Sequence, residues 1–374
     1  MTQRGTLPYR RFVGVVMTAS LVLAACSGPA ATVAPSTAAT APPASGASQD
    51  PAASPDGAAI IADLKTKLTG QSLKVGSSAS PNASVIGFFK TLQFLEEDFG
   101  VAVDEQLLDS DPLVAAMVSG QVQIGQLSLA GVANANNNGG TFVAIGVNDQ
   151  KNLFVVAAKK PTATLEELRG KPFGATQNLA QITGQTARKC LQSANIDIEK
   201  DVVLTRFNNT GEVTAAIRSG QIAGGISAIF RLTKINLEDA GAINILCYGI
   251  DENPSISSVW ATERAWAEAN PDMALALIIS ELKAARWAKE DKAGWIALAK
   301  EVIEEYSDEV GELDYQQVVI DADNWPVNGG LDKTMCDQTL ATSFEFGAID
   351  AEIACDEIAD FSFQERALEI VGEQ

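Results

Sequence analysis

Histidine and cysteine are the residue types whose numbers constrain the chemistry of this chain most. Its 374 residues include five cysteines and no histidine. Without imidazole there is no Ser-His or Cys-His nucleophile pair, no histidine general base and no histidine metal ligand. A carboxylate or lysine enzyme remains possible. The glycine pairs at 139–140, 224–225 and 329–330 lack the spacing of a nucleophile elbow, a phosphate loop or a dinucleotide fingerprint. We therefore expect no catalytic residues and no cofactor.

Cys26 ends a segment typical of a bacterial lipoprotein signal. Two arginines precede an almost unbroken apolar run over residues 12–25, and small residues stand directly before the cysteine, as a lipobox requires. The run is too short for a stable membrane span. We expect residues 1–25 to be removed and the Cys26 thiol to be lipidated, which would anchor the protein to a cell membrane outside the cytoplasm, in the periplasm or on the outer face. A plain secretory peptide with an incidental cysteine is the alternative.

The other four cysteines are Cys190, Cys247, Cys336 and Cys355. An even number in an exported chain indicates two disulfides, for which three connectivities exist. We expect Cys190 to pair with Cys247, since both fall in one predicted lobe, and Cys336 with Cys355, since they flank one C-terminal helix. No Cys-x-x-Cys spacing occurs, so we expect no metal site. Four buried free thiols are the alternative.

Composition and charge indicate a spacer followed by an acidic folded region. Residues 26–57 comprise the lipidated cysteine and a segment made almost wholly of Ala, Pro, Ser, Thr and Gly. Such a segment cannot bury a core, so we expect a disordered spacer. Removing residues 1–25 lowers the basic count from 27 to 24 and moves the net charge from −20 to −23. This charge argues against nucleic acid and anionic membrane surfaces as partners. No later apolar run approaches the ~20 residues of a spanning helix, so we expect a soluble body.

From Leu73 onward, strand-like and helix-like segments alternate, as in a layered α/β protein. Capping residues and glycine stops mark the helices, for example Gly100 after the apolar helical pattern of 85–99. After Tyr248 the pattern becomes mainly helical. The predicted strands are 73–77, 121–125, 142–147, 153–158, 173–175, 202–207 and one near 257–261. The predicted helix starts are at Asn82 or Ser84, Asp111, Ser128, Thr164, Gln177-Asn178, Asn208 to Thr210, Asn270-Pro271 and Asp291.

An internal echo favours two related lobes. The segment Ala115–Val122 is matched 100 residues later by Ala215–Ile222, and each copy comprises a helix, a glycine stop and an entering strand. Chance similarity of a short unit is the alternative. We expect lobe 1 over 58–160, lobe 2 over 161–255, and a return to lobe 1 followed by C-terminal helices over 256–374. The aromatic residues of 287–306, at helical spacing, are expected in the core.

The predicted strand ends carry uncharged polar residues. Ligands of open α/β sheets bind outside the carboxyl ends of strands, and two facing lobes place those ends across one cleft. Several of these residues also begin helices, whose free N–H groups suit a carboxylate, sulfonate or nitrate. A turn or cap role is the alternative for each. The candidate ligand-binding residues are Ser77, Ser78, Asn82, Ser128, Asn148, Gln150, Gln177, Asn178, Asn208, Phe230 and Arg231, with Trp260 as a nearby aromatic.

Several separated motifs resemble one protein family. They are Leu73-Lys74-Val75-Gly76, Leu113 to Ile124, Thr164 to Pro172, Ser219-Gly220-Gln221-Ile222, and Ala261-Thr262-Glu263 through Asn270-Pro271. In this order, over roughly residues 72–310, they resemble the solute-binding proteins of ABC importers for nitrate, alkanesulfonates, taurine and thiamine-pyrimidine precursors. The chain departs from the family pattern at Gln123 and Ala223, where aspartate is common, and at Ile229-Phe230, where Pro-Phe is usual.

This resemblance implies a type 2 periplasmic-binding-protein fold, an α/β architecture in which each of two lobes is a central sheet flanked by helices, here with a helical C-terminal extension. It implies a monomeric receptor that delivers a small polar solute to an ABC permease and ATPase. The hydroxyls, amides and few cations of the strand-end loops favour a compact neutral or monoanionic organic molecule as that solute. An enzyme branch of the fold depends on a histidine and a cysteine cluster that this chain lacks. The alternatives are a surface lipoprotein using the fold for signalling or adhesion, and a histidine-free exported hydrolase.

Overall fold

Two five-stranded sheets carry the fold of the computed structural model, which describes residues 55–77, 81–108, 110–239 and 242–374. The expected signal, Cys26, nearly all of the expected spacer and Ser78 lie outside the described residues. The strands, in chain order, are β1 (Ser72–Ser77), β2 (Ala102–Leu107), β3 (Ile124–Leu127), β4 (Phe142–Asp149), β5 (Phe154–Lys159), β6 (Pro172–Thr176), β7 (Val203–Phe207), β8 (Gly224–Ala228), β9 (Ile243–Tyr248) and β10 (Ser258–Glu263).

Helices flank both sheets and form the C-terminal part. Short 3₁₀ turns stand at Ala83–Val85 and Glu166–Leu168, and a π-helix at Tyr315–Asp321. The α-helices are α1 (Pro55–Leu68), α2 (Ile86–Phe99), α3 (Ser110–Val118), α4 (Leu129–Asn137), α5 (Ile182–Ser193), α6 (Thr210–Ser219), α7 (Ile229–Glu238), α8 (Gly249–Glu252), α9 (Arg264–Ala269), α10 (Pro271–Glu290), α11 (Lys292–Val302), α12 (Asp308–Asp314), α13 (Lys333–Glu345), α14 (Cys355–Ile358) and α15 (Ser362–Val371).

The two sheets have the same topology. The first has strand order β2-β1-β3-β10-β4 and the second β7-β6-β8-β5-β9. In each sheet the first three strands are parallel, and the fourth runs antiparallel to its neighbours. The antiparallel strand of the first sheet, β10, follows the strands of the second lobe in the chain. The antiparallel strand of the second sheet, β5, follows directly after β4 of the first lobe. The predicted two-lobed α/β architecture is confirmed.

Matched glycine pairs, outside the echoed segments, also relate the two sheets. Gly76 lies opposite Gly125 in the first sheet, and Gly174 lies opposite Gly225 in the second. A Cβ atom on Gly225 would stand 2.7 Å from Val213 Cγ1 and 2.6 Å from the Gly174 carbonyl oxygen. Glycine at these positions lets α3 pack closely on the first sheet and α6 pack closely on the second.

The chain crosses between the lobes earlier than predicted. Strands 142–147 and 153–158 were both expected in lobe 1, within the boundary 58–160. In the structure β4 belongs to the first sheet, whereas β5 pairs with β8 and β9 in the second. The polar segment 150–153 is therefore a connection between lobes rather than a turn within one. Apolar periodicity identifies both strands but carries no information about which strands they pair with.

Some local boundaries also differ. The strand expected at 121–125 begins at Ile124, because the backbone N–H groups of Gln121 and Val122 still close α3 by donating to the Ala116 carbonyl. The side chain of Asn270 does not cap α10 but donates to the Trp266 carbonyl at 2.9 Å. Gln177 does not begin a helix, since α5 starts at Ile182.

Both disulfides form with the expected connectivity. Cys190 in α5 is bonded to Cys247 in β9, and Cys336 in α13 is bonded to Cys355 in α14. The first joins a helix and a strand of the second lobe, and the second closes the loop between two C-terminal helices.

The segment 291–346, which we call the extension, contacts both lobes. Trp295, Tyr315 and Trp325 are buried in a cluster that also contains Ile86 of the first lobe, with Phe230 of the second packed against it. The Thr233 hydroxyl of α7 donates to Gln317 at 3.1 Å. An ion pair of 2.8 Å joins Lys189 of α5 to Glu345 at the end of α13. The extension therefore bridges the lobes at two separate places. No helix among the described residues is long and apolar enough to cross a membrane.

Candidate functional site

A cavity of about 360 Å³ lies between the two lobes and the extension. The first lobe contributes the turn that follows β1. The second lobe contributes the first turns of α6 and α7, and the extension contributes the segment between α11 and the end of α12. The lining residues central to the site are Asn82, Gly211, Phe230, Arg231, Tyr306 and Asp314.

Arg231 is placed in the cavity by the start of α7. The N-cap of this helix is Ala228, which has no side chain able to accept from the first backbone N–H groups. The Arg231 Nε donates to the Thr210 hydroxyl at 3.2 Å, and its guanidinium carbon lies 5.8 Å from the Phe230 ring centroid. Among the described residues no carboxylate pairs with Arg231, so its charge is available to a bound anion.

Asn82 shapes the opposite wall of the cavity. Its side-chain oxygen accepts from the Ser84 backbone N–H at 2.9 Å and from the Ser84 hydroxyl at 2.8 Å, which caps the 3₁₀ turn ahead of α2. The structure thus brings together three of the predicted residues, Asn82, Phe230 and Arg231, at one cavity.

A second group of predicted residues lies at the strand ends of the first sheet. The Ser77 hydroxyl donates to Gln126 Oε1 at 2.9 Å, and Gln126 Nε2 donates to Asn148 Oδ1 at 3.2 Å and to the Ser258 hydroxyl at 3.1 Å. Ser258 in turn donates to Asn148 Oδ1. Ser77, Gln126 and Asn148 are buried, so these side chains form an internal polar network. Gln126 and Ser258 were not among the predicted residues.

The extension covers this network. The Trp325 indole N–H donates to the Asn148 carbonyl at 3.0 Å, and Gln150 Nε2 donates to the Gly330 carbonyl at 2.9 Å. Asn324 is fully buried and accepts from the Lys151 backbone N–H at 3.0 Å. Asn148 and Gln150 therefore contact the extension, and neither lines the cavity.

The remaining predicted residues are exposed and have local partners. Asn178 Oδ1 accepts from the Ala180 N–H at 2.9 Å, Asn208 Nδ2 donates to Glu212 at 3.1 Å, and Ser128 caps α4 by accepting from the Gly131 N–H at 3.0 Å. The Gln177 carbonyl accepts from Arg206 at 2.8 Å. Trp260, expected near the ligand, is instead fully buried in the first-lobe core, where it stacks on Phe88 with ring centroids 5.0 Å apart. Its position on the central antiparallel strand β10 directs it inward.

Comparison with protein-family models matches residues 75–269, more than half of the chain, to the ABC-transporter, phosphonate, periplasmic substrate-binding protein family. The chain belongs to this family. It is the periplasmic substrate-binding component of an ABC import system, and the expected extracytoplasmic location follows from that family. No curated protein matches the chain in sequence.

Solved structures share the fold at low sequence identity. The ligand-binding component of an ABC-type import system from Staphylococcus aureus, with zinc bound, has a TM-score of 0.63 at 15% identity, covering 79% of this chain and 99% of that one. The alkanesulfonate-binding protein SsuA from Xanthomonas axonopodis pv. citri, bound to MOPS, gives 0.62 at 14%, covering 78% and 99%. The nitrate-binding protein NrtA from Synechocystis gives 0.61 at 12%, covering 81% and 89%. Such different ligands show that the shared fold does not specify the solute.

Within this substrate-binding protein, the family match separates two sets of cavity residues. Asn82, Phe230 and Arg231 lie inside the matched segment 75–269, whereas Tyr306 and Asp314 lie beyond it. Asp314 was not among the predicted residues. Tyr306, which was expected in the core, packs against the buried cluster of the extension and also lines the cavity. The Tyr306 hydroxyl donates to Asp314 Oδ2 at 2.8 Å, and both residues line the cavity. Nothing in their sequence spacing distinguishes this pair from ordinary helical surface and core residues.

Burial is the main cause of the raised pKa values of the acids near the cleft. It raises the pKa of Asp314 to about 6, although the Thr233 and Tyr306 hydroxyls oppose the shift. It raises the pKa of Asp149 to about 7, against opposing hydrogen bonds from Asn324, Ser257 and Ser84. Burial, together with the neighbouring Asp314 carboxylate, also raises the pKa of Tyr306, so its hydroxyl stays protonated. Among the described residues no cluster of acids or cysteines could hold a metal ion.

Proposed function

We propose that this substrate-binding protein takes up a small organic anion in the cavity between its lobes and delivers it to an ABC permease and its ATPase. The observation that supports this proposal is Arg231, a cation without a carboxylate partner among the described residues, at the uncapped start of α7. The Ile229 backbone N–H already donates to the Leu153 carbonyl at 3.0 Å, so the guanidinium is the donor that would hold a phosphonate, sulfonate or carboxylate with charge-assisted hydrogen bonds.

The other basic residues of the cavity are already paired. Lys234 forms an ion pair of 3.2 Å with Glu305, and Arg218 forms one of 2.8 Å with Glu238. Their charges are therefore locally balanced, which leaves Arg231 as the natural partner for one anionic group. A cavity of about 360 Å³ suits a compact solute rather than a large cofactor.

The names of the related proteins point in the same direction. The family is named for phosphonate, and two structural neighbours are named for an alkanesulfonate and for nitrate. These solutes are oxyanions. We infer a phosphonate or sulfonate as the first class to test, with nitrate, taurine and thiamine precursors as further candidates.

We also propose that the protein acts as a monomer and is attached to the membrane through a lipid on Cys26. The apolar run over residues 12–25, the small residues before Cys26 and the following spacer rich in Ala, Pro, Ser and Thr support the anchor. A lipid anchor would keep the receptor close to the permease while the spacer leaves the lobes free to move.

The solute proposal is tested by isothermal titration with ethylphosphonate, ethanesulfonate, taurine and nitrate against the native protein and the Arg231→Gln variant. We expect at least one of these anions to bind, and Arg231→Gln to weaken it about tenfold or more, since a hydrogen bond to a charged group contributes about 1.5 kcal/mol or more. Arg366→Gln is the matched control, because Arg366 pairs with Glu369 on α15, outside the cavity.

Equal affinity in the native protein and the Arg231→Gln variant would place the anion elsewhere. If none of the anions binds the native protein, the cavity is not an anion receptor. That result would favour the alternative of a signalling or adhesion lipoprotein that uses the same fold.

A further inference from the structure

The chain connects the two lobes twice, at 150–153 and, after β9, at 249–257. Asn324 of the extension holds the first connection. The Gln150 N–H donates to the Asn324 carbonyl at 3.3 Å, and the Lys151 N–H donates to its side-chain oxygen at 3.0 Å. Asn324 is fully buried, so water does not compete for these hydrogen bonds.

Thr339, on α13 in the extension, holds the second connection. Its hydroxyl accepts from the Ile256 N–H at 3.0 Å and donates to the Met335 carbonyl at 2.7 Å. Ile256 and Thr339 are both buried. Removing the hydroxyl would leave the Ile256 N–H without its acceptor, and an unsatisfied buried donor is unfavourable. The extension therefore supplies a buried contact to the backbone of each connection.

The extension is attached to the first lobe close to both contacts. The Trp325 indole N–H donates to the carbonyl of Asn148, in β4, at 3.0 Å. Cys336 of α13 is bonded to Cys355 of α14, and both are buried in one cluster with Val147 of β4. The contacts made by the extension therefore attach both connections to the first lobe.

Thr186 of α5 holds the same two connections on the side of the second lobe. Asn152 Nδ2 donates to the Thr186 hydroxyl at 2.8 Å, and Asn253 Nδ2 donates to it at 3.2 Å. Asn152 Nδ2 also donates to the Asn253 carbonyl at 2.8 Å, which joins the two connections to each other. Little backbone is left between the points held by the first lobe and those held by the second.

We propose that the extension clamps the hinge of this receptor. Asn324 and Thr339 attach the two connections to the first lobe, and Thr186 attaches them to the second. Rotation of the lobes is then absorbed by the linkage 151–152 and by residues 254–255, where few backbone dihedral angles are available. The clamp limits how far the solute-free protein opens, whichever solute the cavity takes.

The ion pair between the extension and the second lobe is a weaker restraint. Lys189 and Glu345 are both partly exposed to solvent, and such a pair contributes little because water and salt screen it. It can separate when the lobes rotate, and water then replaces each partner. The buried contacts of Asn324 and Thr339 have no such replacement. The restraint on opening therefore lies at the hinge.

The test uses the solute-free protein, with the radius of gyration measured by small-angle scattering and amide exchange measured by mass spectrometry. Thr339→Val removes the hydroxyl with little change in side-chain volume, whereas Thr339→Ser keeps the hydroxyl. Thr91→Val is the matched control, because Thr91 is also buried and donates to the carbonyl four residues earlier, that of Gly87, at 2.8 Å. Thr91 lies on α2 rather than beside a connection.

We expect Thr339→Val to have a larger radius of gyration than the native protein, while Thr339→Ser and Thr91→Val keep the native value. Amide exchange in the peptide containing Gln150 and Lys151 should accelerate about tenfold in Thr339→Val. That connection is held by Asn324 and not by Thr339, so the effect arises only if wider opening of the lobes strains both connections together.

Acceleration confined to the Ile256 amide, with an unchanged radius of gyration, would show that Thr339 acts only locally and would overturn the clamp. If Thr339→Val fails to fold, Asn324→Ala provides the reciprocal test, with Ile256 as the remote reporter. Loss of folding in both variants would mean that these contacts are required for the fold itself, which would equally overturn the proposal. No solute is added, so the result is independent of the anion proposal.

Discussion

Glu281 shows how a single buried acid shapes its surroundings. Its carboxylate lies in α10 beneath β4, where Oε1 accepts from the Val147 N–H at 3.3 Å. A Cβ on Gly146 would collide with Oε2, so a larger residue at that position of the strand would require the Glu281 side chain to shift. Burial raises the pKa of Glu281 to about 8. Asp149 and Asp314 are two further buried acids whose pKa values the fold raises.

These raised values predict that stability falls as the pH increases. In the unfolded chain the three acids lose their protons near pH 4, whereas in the folded protein they keep them up to about pH 6, 7 and 8. The folded state binds more protons over this interval, so the free energy of unfolding decreases as the pH rises from about 4 to 8. We expect urea unfolding to give a higher stability at pH 5 than at pH 8.

The variant Glu281→Gln isolates one of these groups. It should reduce the loss of stability between pH 5 and pH 8 by up to about 3 kcal/mol, since one pKa unit corresponds to about 1.4 kcal/mol. Glu268→Gln is the control, because Glu268 is exposed. An identical pH dependence in native and Glu281→Gln proteins would show that Glu281 is not protonated in the fold.

At the scale of elements, local signals predicted the helices and strands well where capping and glycine stops were present. The helix over 85–99 ends at Gly100, whose φ of 68° is the left-handed conformation that glycine adopts readily. Asn209 caps α6, and Asp291 caps α11. These outcomes depend on contacts within four residues, so they can be predicted from sequence without knowing the fold.

The N-terminal segment is an element that lies outside the described residues, and its role stays a prediction. In Cys26→Ala the lipid attachment site is lost while the lobes, which begin after the spacer, keep their sequence. We expect the variant to be poorly processed or released from membranes, with unchanged thermal unfolding of the released body. Fractionation of cells into membrane and soluble parts, followed by intact-mass analysis, measures both effects. Full membrane retention of Cys26→Ala would contradict the anchor.

At the scale of the whole molecule, two connections and the extension link the lobes. The chain passes between the sheets at 150–153 and again at 249–257, after β9. The extension contacts the second lobe through Gln317 and Glu345. A solute that contacts Arg231 on one side and Asn82 on the other would favour a closed arrangement of the lobes, because binding stabilises the state in which both contacts are made.

We therefore expect a bound solute to reduce the radius of gyration measured by small-angle scattering and to raise the unfolding temperature. Ethylphosphonate and ethanesulfonate are the first solutes to test. The Arg231→Gln variant at the same solute concentrations should remain at the dimensions of the free protein. Compaction of Arg231→Gln to the same extent as the native protein would show that closure does not depend on this contact.

Several features of this protein follow from local chemistry and composition. The alternation of strands and helices, the two-lobed α/β class and the pairing of Cys190 with Cys247 and Cys336 with Cys355 could all be predicted. Residue types at short spacing favour these elements wherever they occur. The family resemblance added the transport role, and the match over residues 75–269 confirmed it.

The contacts among polar residues could not be predicted, because they join distant segments of the chain. Gln126 and Ser258 are 132 positions apart, and Trp325 reaches Asn148 from 177 positions away. Neither the placement of β5 in the second sheet nor the position of Asp314 in the cavity wall leaves a local signal. Strand partners and cavity walls are set by packing between distant segments, and hydrophobic periodicity specifies which face of an element is buried but not what it is buried against.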